Sequence, residues 1–310
     1  MTSPSRVSRR SALRSLAGAT GLAVLAVAGC GSPARPAPAT GRTVASVHGP
    51  ITVPARAERV VSLDLSKIQR VLDVGLEPVG VPTGWQPPTE HSDWYARVAK
   101  TGTQAAPDVE AIAALRPDLV LGSPQGIDDA LYARLSALAP TVVLAAPGAG
   151  AKWKELSEAD AAAVGRADAL TAIRTRYEAR VAQLRTDRST ALRQRFATVF
   201  GMPGSAYALL PDAGPGIVLT DLGATFCSLE AGRTGVFEQL SYEALGRLSD
   251  AEVVLVDAQV DGTLTAPTAA LTAQPTFTAL PGRVAPLSHL LVFSYGEALA
   301  LLDQLDDLLR

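Results

Sequence analysis

The 310-residue sequence has little cysteine and little histidine, and both shortages exclude classes of protein. Its two cysteines are Cys30 and Cys227, and it has three histidines. If Cys30 is modified after export, no intrachain disulfide can form, so burial of apolar side chains must stabilise the fold. A site for a bare transition metal needs several imidazoles and carboxylates around the ion. Three scattered histidines argue against such a site, and we predict no metal ligands.

Catalytic motifs are also missing. The sequence contains no Gly-x-Ser-x-Gly elbow, no histidine pair of a metal hydrolase, and no glycine-rich dinucleotide or nucleotide loop. Cys227 lies among apolar residues with no nearby histidine to activate it. We therefore predict that the chain is not an enzyme, with no catalytic residues and no resident cofactor.

An excess of positive charge is absent as well. The chain has 28 basic and 30 acidic residues, a net charge of -2. Residues 1–29 contain four arginines and no acidic residue, so the remainder has 24 basic against 30 acidic residues and a charge of about -6. Nucleic-acid binding needs a basic surface, so we predict no nucleic-acid partner.

No apolar run is long enough to span a bilayer comfortably, but the amino terminus has the pattern of an export signal. Arg9-Arg10 form a twin-arginine pattern, and a short apolar stretch follows and ends at Val27-Ala28-Gly29-Cys30. This ending resembles the lipobox of bacterial lipoproteins, in which Cys30 becomes the lipidated first residue. A plain signal peptide with an incidental cysteine is the alternative. We predict a Tat export signal over 1–29, a Pro/Ala-rich lipid-anchored tether over 30–41, and a location on the outer face of the cytoplasmic membrane.

Two stretches of the chain repeat one design. Glu110-Ala-Ile-Ala-Ala-Leu115 runs into Asp118-Leu-Val-Leu121, and Glu243-Ala-Leu-Gly-Arg-Leu248 runs into Glu252-Val-Val-Leu-Val256. Each predicts a short helix followed by a buried parallel strand. The β/α alternation around them predicts an α/β fold of two lobes with mainly parallel sheets.

Between the predicted lobes the pattern changes to that of a single amphipathic helix. Ala169, Ile173, Tyr177, Val181 and Leu184 recur at helical spacing in a segment without proline, Glu158 to Asp187. We interpret this segment as one long connecting helix, with a coiled-coil interaction helix as the alternative. The predicted boundaries are 42–150 for the amino-terminal lobe, 151–190 for the connecting helix and 191–310 for the carboxy-terminal lobe.

The order of these elements resembles a known family. The units Arg59-Val-Val-Ser-Leu63, Pro107 to Leu121, Ser241 to Leu248 and Gly282-Arg-Val284, together with the export signal, are similar to the iron-siderophore and cobalamin substrate-binding proteins of ABC importers. The resemblance covers nearly all of residues 42–310. It implies two Rossmann-like lobes joined by one rigid helix, little hinge closure, a ligand held between the lobes, and partners in an ABC permease with its ATPase. We also predict that the protein is a monomer.

The resemblance also implies a role for Glu110 and Glu243, because one glutamate on each lobe of such proteins meets arginines of the permease. Acidic side chains on a rim can steer docking onto a basic partner. The alternative is that each carboxylate only stabilises the positive end of its own helix.

Candidate ligand-binding residues follow from the position of loops after predicted strands, since open α/β sheets bind ligands there. We interpret residues 85–95 as an irregular loop rich in proline and aromatics, which are suited to pack against a bulky chelate. Ferric siderophores are often anionic, so cationic side chains are included. The candidates are Lys67, Trp85, Trp94, Arg97, Gln125, Tyr207, Arg233, His289, Phe293 and Tyr295.

The cargo itself is open at this point. A ferric siderophore is the preferred ligand. Haem, with His289 or Tyr295 as an axial ligand, and a corrinoid are alternatives. A lipoprotein scaffold that no longer takes part in transport is a further alternative.

Overall fold

The amino-terminal hairpin is the first element of the computed structural model, which describes residues 41–145 and 148–310. Strands β1 (Gly41–Val44) and β2 (Ile51–Pro54) pair antiparallel. The predicted export signal and the lipidated Cys30 lie outside the described residues, as does the predicted tether except for Gly41. Within the described ranges, no helix is both long and apolar enough to cross a membrane.

The amino-terminal lobe is built on a five-stranded parallel sheet with strand order β5-β4-β3-β6-β7. Its strands are short, and all except β5 are buried along their whole length, as expected for parallel strands covered on both faces. The strands are β3 (Val60–Ser62), β4 (Gly80–Val81), β5 (Ala99–Lys100), β6 (Leu119–Gly122) and β7 (Thr141–Val143).

Four helices connect these strands, and aspartates begin three of them. Asp64, Asp108 and Asp128 each accept a hydrogen bond from a backbone N–H in the first turn, which satisfies donors that have no partner within the helix. The helices are α1 (Leu65–Asp73), α2 (Thr89–Arg97), α3 (Val109–Ala114) and α4 (Asp129–Ser136). Helix α2 is a correction, because the sequence predicts an irregular loop over residues 85–95.

Two helices, rather than one, connect the sheets. Helix α5 (Trp153–Val164) ends at Gly165, which has a φ of 75° and so adopts the left-handed conformation that terminates helices. Helix α6 (Ala167–Asp187) then begins and runs for 21 residues. The predicted helix over Glu158 to Asp187 is therefore interrupted, although its stripe is correct from Ile173 onward and buries Ile173, Tyr177, Val181 and Leu184.

The carboxy-terminal lobe has a six-stranded sheet with strand order β11-β9-β8-β12-β13, and β10 pairs with the start of β8. Strand β8 is parallel to β12, which is parallel to β13, while β9 is antiparallel to both of its neighbours. The strands are β8 (Arg195–Met202), β9 (Ser205–Leu209), β10 (Thr225–Phe226), β11 (Phe237–Leu240), β12 (Val253–Asp257) and β13 (Arg283–Leu287).

The helices of this lobe flank the sheet. They are α7 (Gly214–Leu222), α8 (Ala266–Thr272), α9 (Pro275–Thr278) and α10 (Tyr295–Leu308), with 3-10 helices at Ala191–Arg193 and Tyr242–Leu248. Glu243 thus lies in a 3-10 helix that leads into β12, as the repeat predicts. The predicted α/β class, two lobes with mainly parallel sheets joined by a long helix, is confirmed, with α6 as the long helix.

The largest core runs through both lobes. It contains Leu121 from the first sheet, Phe196 and Leu255 from the second, and Tyr177 and Leu302 from helices α6 and α10. Smaller clusters cover the outer face of each sheet. The described residues accordingly belong to one compact unit.

Candidate ligand-binding cleft

A cavity of about 550 Å³ lies where the carboxyl ends of the parallel strands of the two lobes meet. This is the position at which open α/β sheets bind ligands, because the loops that follow parallel strands gather at one edge. A volume in this range suits a small-molecule ligand of several hundred daltons.

The amino-terminal lobe contributes residues from the segment after each of its five strands. The loop between β4 and α2 provides an aromatic wall at Trp85, and Trp153, at the start of α5, belongs to the lining although its side chain is fully buried. The remaining wall residues of this lobe are Asp64, Leu65, Ser66, Arg70, Gly84, Gln86, Pro88, Gln104, Gln125, Gly148, Gly150, Ala151 and Leu156.

The carboxy-terminal lobe contributes the segments after β12 and β13 and the first turn of α10. These residues are Ala258, Gln259, Val260, Ser288, His289, Leu291, Phe293 and Glu297. The imidazole Nδ1 of His289 lies 3.2 Å from the amide nitrogen of Gln304, and burial lowers the pKa of His289. The imidazole is therefore neutral at neutral pH.

A buried group of three charges lies beneath the cavity. The ammonium of Lys67 donates to both carboxylate oxygens of Asp160 at 3.0 and 3.3 Å, and the Nε of Arg70 donates to the same carboxylate at 2.6 Å. None of the three side chains is more than 2 % exposed. Burial alone would raise the pKa of Asp160, but the two cations hold that pKa below its ordinary value.

Helices α1 and α10 are hydrogen-bonded to each other at the back of the cavity. Arg70 donates to the carbonyl of Phe293 at 3.1 Å, and the Gly296 N–H donates to Asp73 at 2.8 Å. Gly150 permits a second close approach, because its φ is 73° and a Cβ there would collide with the Val292 carbonyl. The two lobes are thus joined beside the cavity as well as through α5 and α6.

Glu297 is a carboxyl group of the cavity wall in an unusual environment. It accepts the Phe293 N–H at 2.6 Å, and Asp73 lies close enough to repel its charged form. Burial, opposed by the Phe293 hydrogen bond and assisted by Asp73, raises the pKa of Glu297 to about 8. The side chain is therefore mostly protonated at neutral pH.

This protonation makes stability depend on pH. Between the ordinary pKa of 4.5 and about 8, the native state holds a proton that the unfolded chain releases, so the free energy of unfolding should fall as pH rises through this window. In Glu297→Gln the fall should be smaller, by up to about 1.4 kcal/mol per pH unit. Asp73, whose pKa burial also raises, continues to contribute.

Urea unfolding of the wild type and Glu297→Gln at pH 5.5, 7 and 8.5 measures this effect. The exposed Glu155, changed to glutamine, is the control and should leave the pH dependence unchanged. A stability difference between wild type and Glu297→Gln that stays constant with pH would show that Glu297 has an ordinary pKa.

Comparison with known proteins identifies the family. The family model described as periplasmic binding protein matches residues 60–281, which is most of the chain. This chain belongs to the periplasmic binding protein family. The resemblance stated from the sequence is confirmed, and because the family consists of binding proteins, so is the prediction that the chain is not an enzyme.

Individual relatives share part or all of the fold. The probable siderophore-binding lipoprotein YfiY of Bacillus subtilis is 30% identical over 55% of this chain and 53% of its own length. The Fe(3+)-citrate-binding protein YfmC of the same organism is 29% identical over 40% of this chain and 41% of its own. The chain thus matches about half of the length of these curated relatives, or less.

A solved structure matches nearly the whole fold. The siderophore periplasmic binding protein from the fuscachelin gene cluster of Thermobifida fusca is 27% identical, with a TM-score of 0.70, over 83% of this chain and 98% of that chain.

In this periplasmic binding protein, four of the ten predicted ligand-binding residues line the cavity: Trp85, Gln125, His289 and Phe293. Each lies in a loop after a strand, which is the reasoning that selected it. Whether they contact the ligand stays a prediction.

Three predicted residues are buried instead. Lys67 is turned away from the cavity toward Asp160, since a buried ammonium needs a counterion. Trp94 lies in helix α2, is 9 % exposed and packs against Ile68 and Val81 in the core. Tyr295 is 2 % exposed and packs edge-on against Trp153, with ring centroids 4.7 Å apart. Tyr295 does not line the cavity, and its role as an axial ligand of haem stays a prediction.

The remaining three predicted ligand-binding residues lie away from the cavity. Arg97 ends α2 and is exposed to solvent. Tyr207 is within β9, between Phe200 and Phe237. Arg233 is paired with Glu238 at 2.8 Å on the carboxy-terminal lobe. None of the three lines the cavity.

The sequence reasoning missed Arg70, Glu297 and Trp153, which the structure places on the wall. The sequence does contain an indication for Arg70. This residue lies one helical turn after the candidate Lys67, on a helix that begins directly after a strand, so both side chains lie on one face of that helix. The sequence around Glu297 and Trp153 does not distinguish a residue that lines a cavity from any other residue of a helix.

The two predicted docking glutamates are both exposed and lie in the first turns of α3 and of the 3-10 helix Tyr242–Leu248. Neither forms an ion pair with another described residue. The backbone N–H groups of α3 are capped by Asp108, at 3.0 Å to both Glu110 and Ala111, so Glu110 is not needed as the cap.

Proposed function

We propose that this protein is the extracytoplasmic substrate-binding lipoprotein of an ABC importer, which captures a ferric siderophore between its lobes and delivers it to a membrane permease. The observation that carries the proposal is the cavity between the strand ends of two lobes in a periplasmic binding protein. The names of YfiY and of the Thermobifida fusca protein, both siderophore-binding, support the choice of ligand.

The shape and lining of the cavity suit a bulky metal chelate. Such a ligand presents organic arms to the wall, and the wall supplies Trp85, Leu156, Leu291 and Phe293 to pack against them. The metal stays within its own chelator, so no protein ligands are required. Within the described residues, no group of three or more His, Cys, Asp or Glu side chains is arranged to hold a metal ion.

Export and anchoring are supported by the twin-arginine pattern and by Val27-Ala28-Gly29-Cys30. The relative YfiY is named a lipoprotein, which agrees with lipidation at Cys30. An anchor on the outer face of the cytoplasmic membrane would keep the protein close to its permease.

Docking through Glu110 and Glu243 is supported by the geometry of both residues. One carboxylate on each lobe, exposed and without an ion-pair partner among the described residues, is available to arginines of another protein. Two such contacts would fix the orientation in which the cavity faces the permease.

We expect ferric siderophores to quench the intrinsic fluorescence of the protein, because Trp85 lines the cavity and the buried Trp153 lies directly beside it. Replacing Trp85 with alanine should weaken binding about tenfold or more, since the change removes a large aromatic contact surface worth about 1.4 kcal/mol. The measurement is a fluorescence titration that follows the remaining tryptophans.

The matched control is Phe237→Ala, which removes an aromatic side chain that is 48 % exposed and lies off the cavity wall. Its affinity should equal that of the wild type. Equal losses in the two variants would show that Trp85 has no special role. Native mass spectrometry with a pool of ferric siderophores, haem and corrinoids then identifies the cargo, and an empty protein in every case would favour the scaffold alternative.

A further inference from the structure

The cavity wall has few ionisable side chains. Among the described residues on it, the acidic and basic ones are Asp64, Arg70, His289 and Glu297, and no lysine is present. Residues 146 and 147, which adjoin the wall in sequence, are alanine and proline and have no ionisable side chain. The predicted cationic contacts Lys67, Arg97 and Arg233 do not line the cavity.

The charges that are present are already used by the protein. Asp64 accepts the Ser66 N–H at 2.8 Å and the Ser66 hydroxyl at 2.6 Å. Arg70 donates to Asp160 and to the Phe293 carbonyl, and Lys67 is paired with the same aspartate. The carboxylates of Asp64 and Asp160 therefore balance the positive charges of Lys67 and Arg70. No excess of positive charge remains on these four side chains to meet an anion.

The other titratable groups near the cavity add no positive charge. Glu297 is mostly protonated at neutral pH, since burial raises its pKa to about 8, and the imidazole of His289 is neutral. The exposed Glu90 lies close enough to His289 to act on it electrostatically, and its carboxylate adds negative charge beside that residue.

Neutral hydrogen-bonding groups take the place of charges. Four glutamines line the cavity, Gln86, Gln104, Gln125 and Gln259. The Oε1 of Gln104 accepts the Leu65 N–H at 3.0 Å, which directs one end of this amide toward the protein and leaves its NH2 group as a donor. Amides donate to and accept from neutral oxygen-rich groups without requiring a charge on the ligand.

We propose that the cavity selects a ferric chelate of no net charge, of the trihydroxamate class, over anionic citrate or tricatecholate complexes. The inference rests on the proposed function and specifies the net charge and the chelator class of the ligand. A chelate with several negative charges would lose hydration in the cavity without gaining counterions, and burial of unpaired charge is strongly unfavourable. A neutral chelate avoids this cost and still meets the amides and the aromatic walls.

The proposal is tested with a series of ferric siderophores that differ in net charge and share one chelating core. Desferrioxamine B binds Fe(III) as a linear trihydroxamate with a terminal amine, so the ferric complex is cationic with a free amine, neutral after acetylation and anionic after succinylation. Fluorescence titration should give the neutral complex an affinity about tenfold or more above the anionic one. The cationic complex should lie within about threefold of the neutral one. Ferric citrate and a ferric tricatecholate should bind more weakly still.

The outcomes separate the two proposals. Tightest binding by any anionic complex, including the citrate complex for which YfmC is named, would overturn the charge inference and leave the siderophore function standing. A cyclic ferric trihydroxamate is added to the series as a complex of different shape. If neither it nor any other ferric complex binds, both the charge inference and the siderophore-binding function are overturned.

A matched pair of variants tests charge within one protein. Gln86 is an exposed wall residue, so substitutions there should not disturb folding. Gln86→Lys should improve the affinity for the succinylated complex relative to the acetylated one by about three- to tenfold, because it places a cation on the wall. Gln86→Met should leave this ratio unchanged. Equal ratios in both variants would show that charge does not decide selectivity.

Discussion

Replacing Asp160 with asparagine is expected to lower the free energy of unfolding by about 3–5 kcal/mol. Asp160 is the carboxylate that both Lys67 and Arg70 contact, and all three side chains are buried. Asparagine keeps the size and removes the negative charge, so two cations remain in the interior without a counterion. Urea-induced unfolding followed by circular dichroism measures the loss.

Two further variants make the Asp160 prediction specific. Asp93→Asn makes the same chemical change at an exposed position and should change stability by less than about 0.5 kcal/mol. Adding Lys67→Met to Asp160→Asn removes one of the unpaired cations and should recover at least about 1 kcal/mol. If the double variant is no more stable than Asp160→Asn alone, unpaired charge is not the cause of the loss.

Changing both Glu110 and Glu243 to alanine should reduce uptake of the ligand by cells at least about tenfold while leaving its affinity within about twofold of the wild type. Both residues are exposed and neither lines the cavity, so ligand binding has no reason to change. Loss of two charged contacts with a basic partner slows docking and weakens the complex. Uptake of iron-55 in cells that carry the permease measures the first quantity, and titration of the purified protein measures the second.

Glu155→Ala/Asp168→Ala provides the control for the docking variant. These acidic residues are also exposed and lie in the first turns of α5 and α6, so the pair removes the same charge from equivalent helix positions. It should transport normally. Normal transport by Glu110→Ala/Glu243→Ala, or an equal defect in the control, would mean that these glutamates only stabilise their helices.

The sequence predicts the framework well because the framework depends on local patterns. Buried parallel strands such as Leu119–Gly122 and Val253–Asp257 are continuous apolar runs, and the repeated glutamate-helix-strand unit identifies both lobes. The connecting helix is the exception. Gly165 adopts the left-handed conformation and divides the predicted single helix into two.

The side chains of the cleft depend on contacts between distant segments, and the sequence predicts them less well. Lys67 and Arg70 are three residues apart on one helix, and both pair with Asp160, about 90 positions later in the chain, although only Arg70 also lines the cavity. Tyr295 is likewise withdrawn because Trp153 and Tyr177 pack on its ring. Trp85 and Phe293 were predictable because a loop position alone brought them to the wall.

The core that passes from one sheet to the other through α6 and α10 has a consequence for the evolution and engineering of this protein. Neither half has a complete interior of its own, since Leu121 and Leu255 belong to the same continuous cluster. A gene fragment encoding a single lobe would expose apolar surface that the other half normally covers. Recombination between relatives therefore has to preserve the packing partners on both sides of the junction, whereas the loops around the cavity are free to diverge.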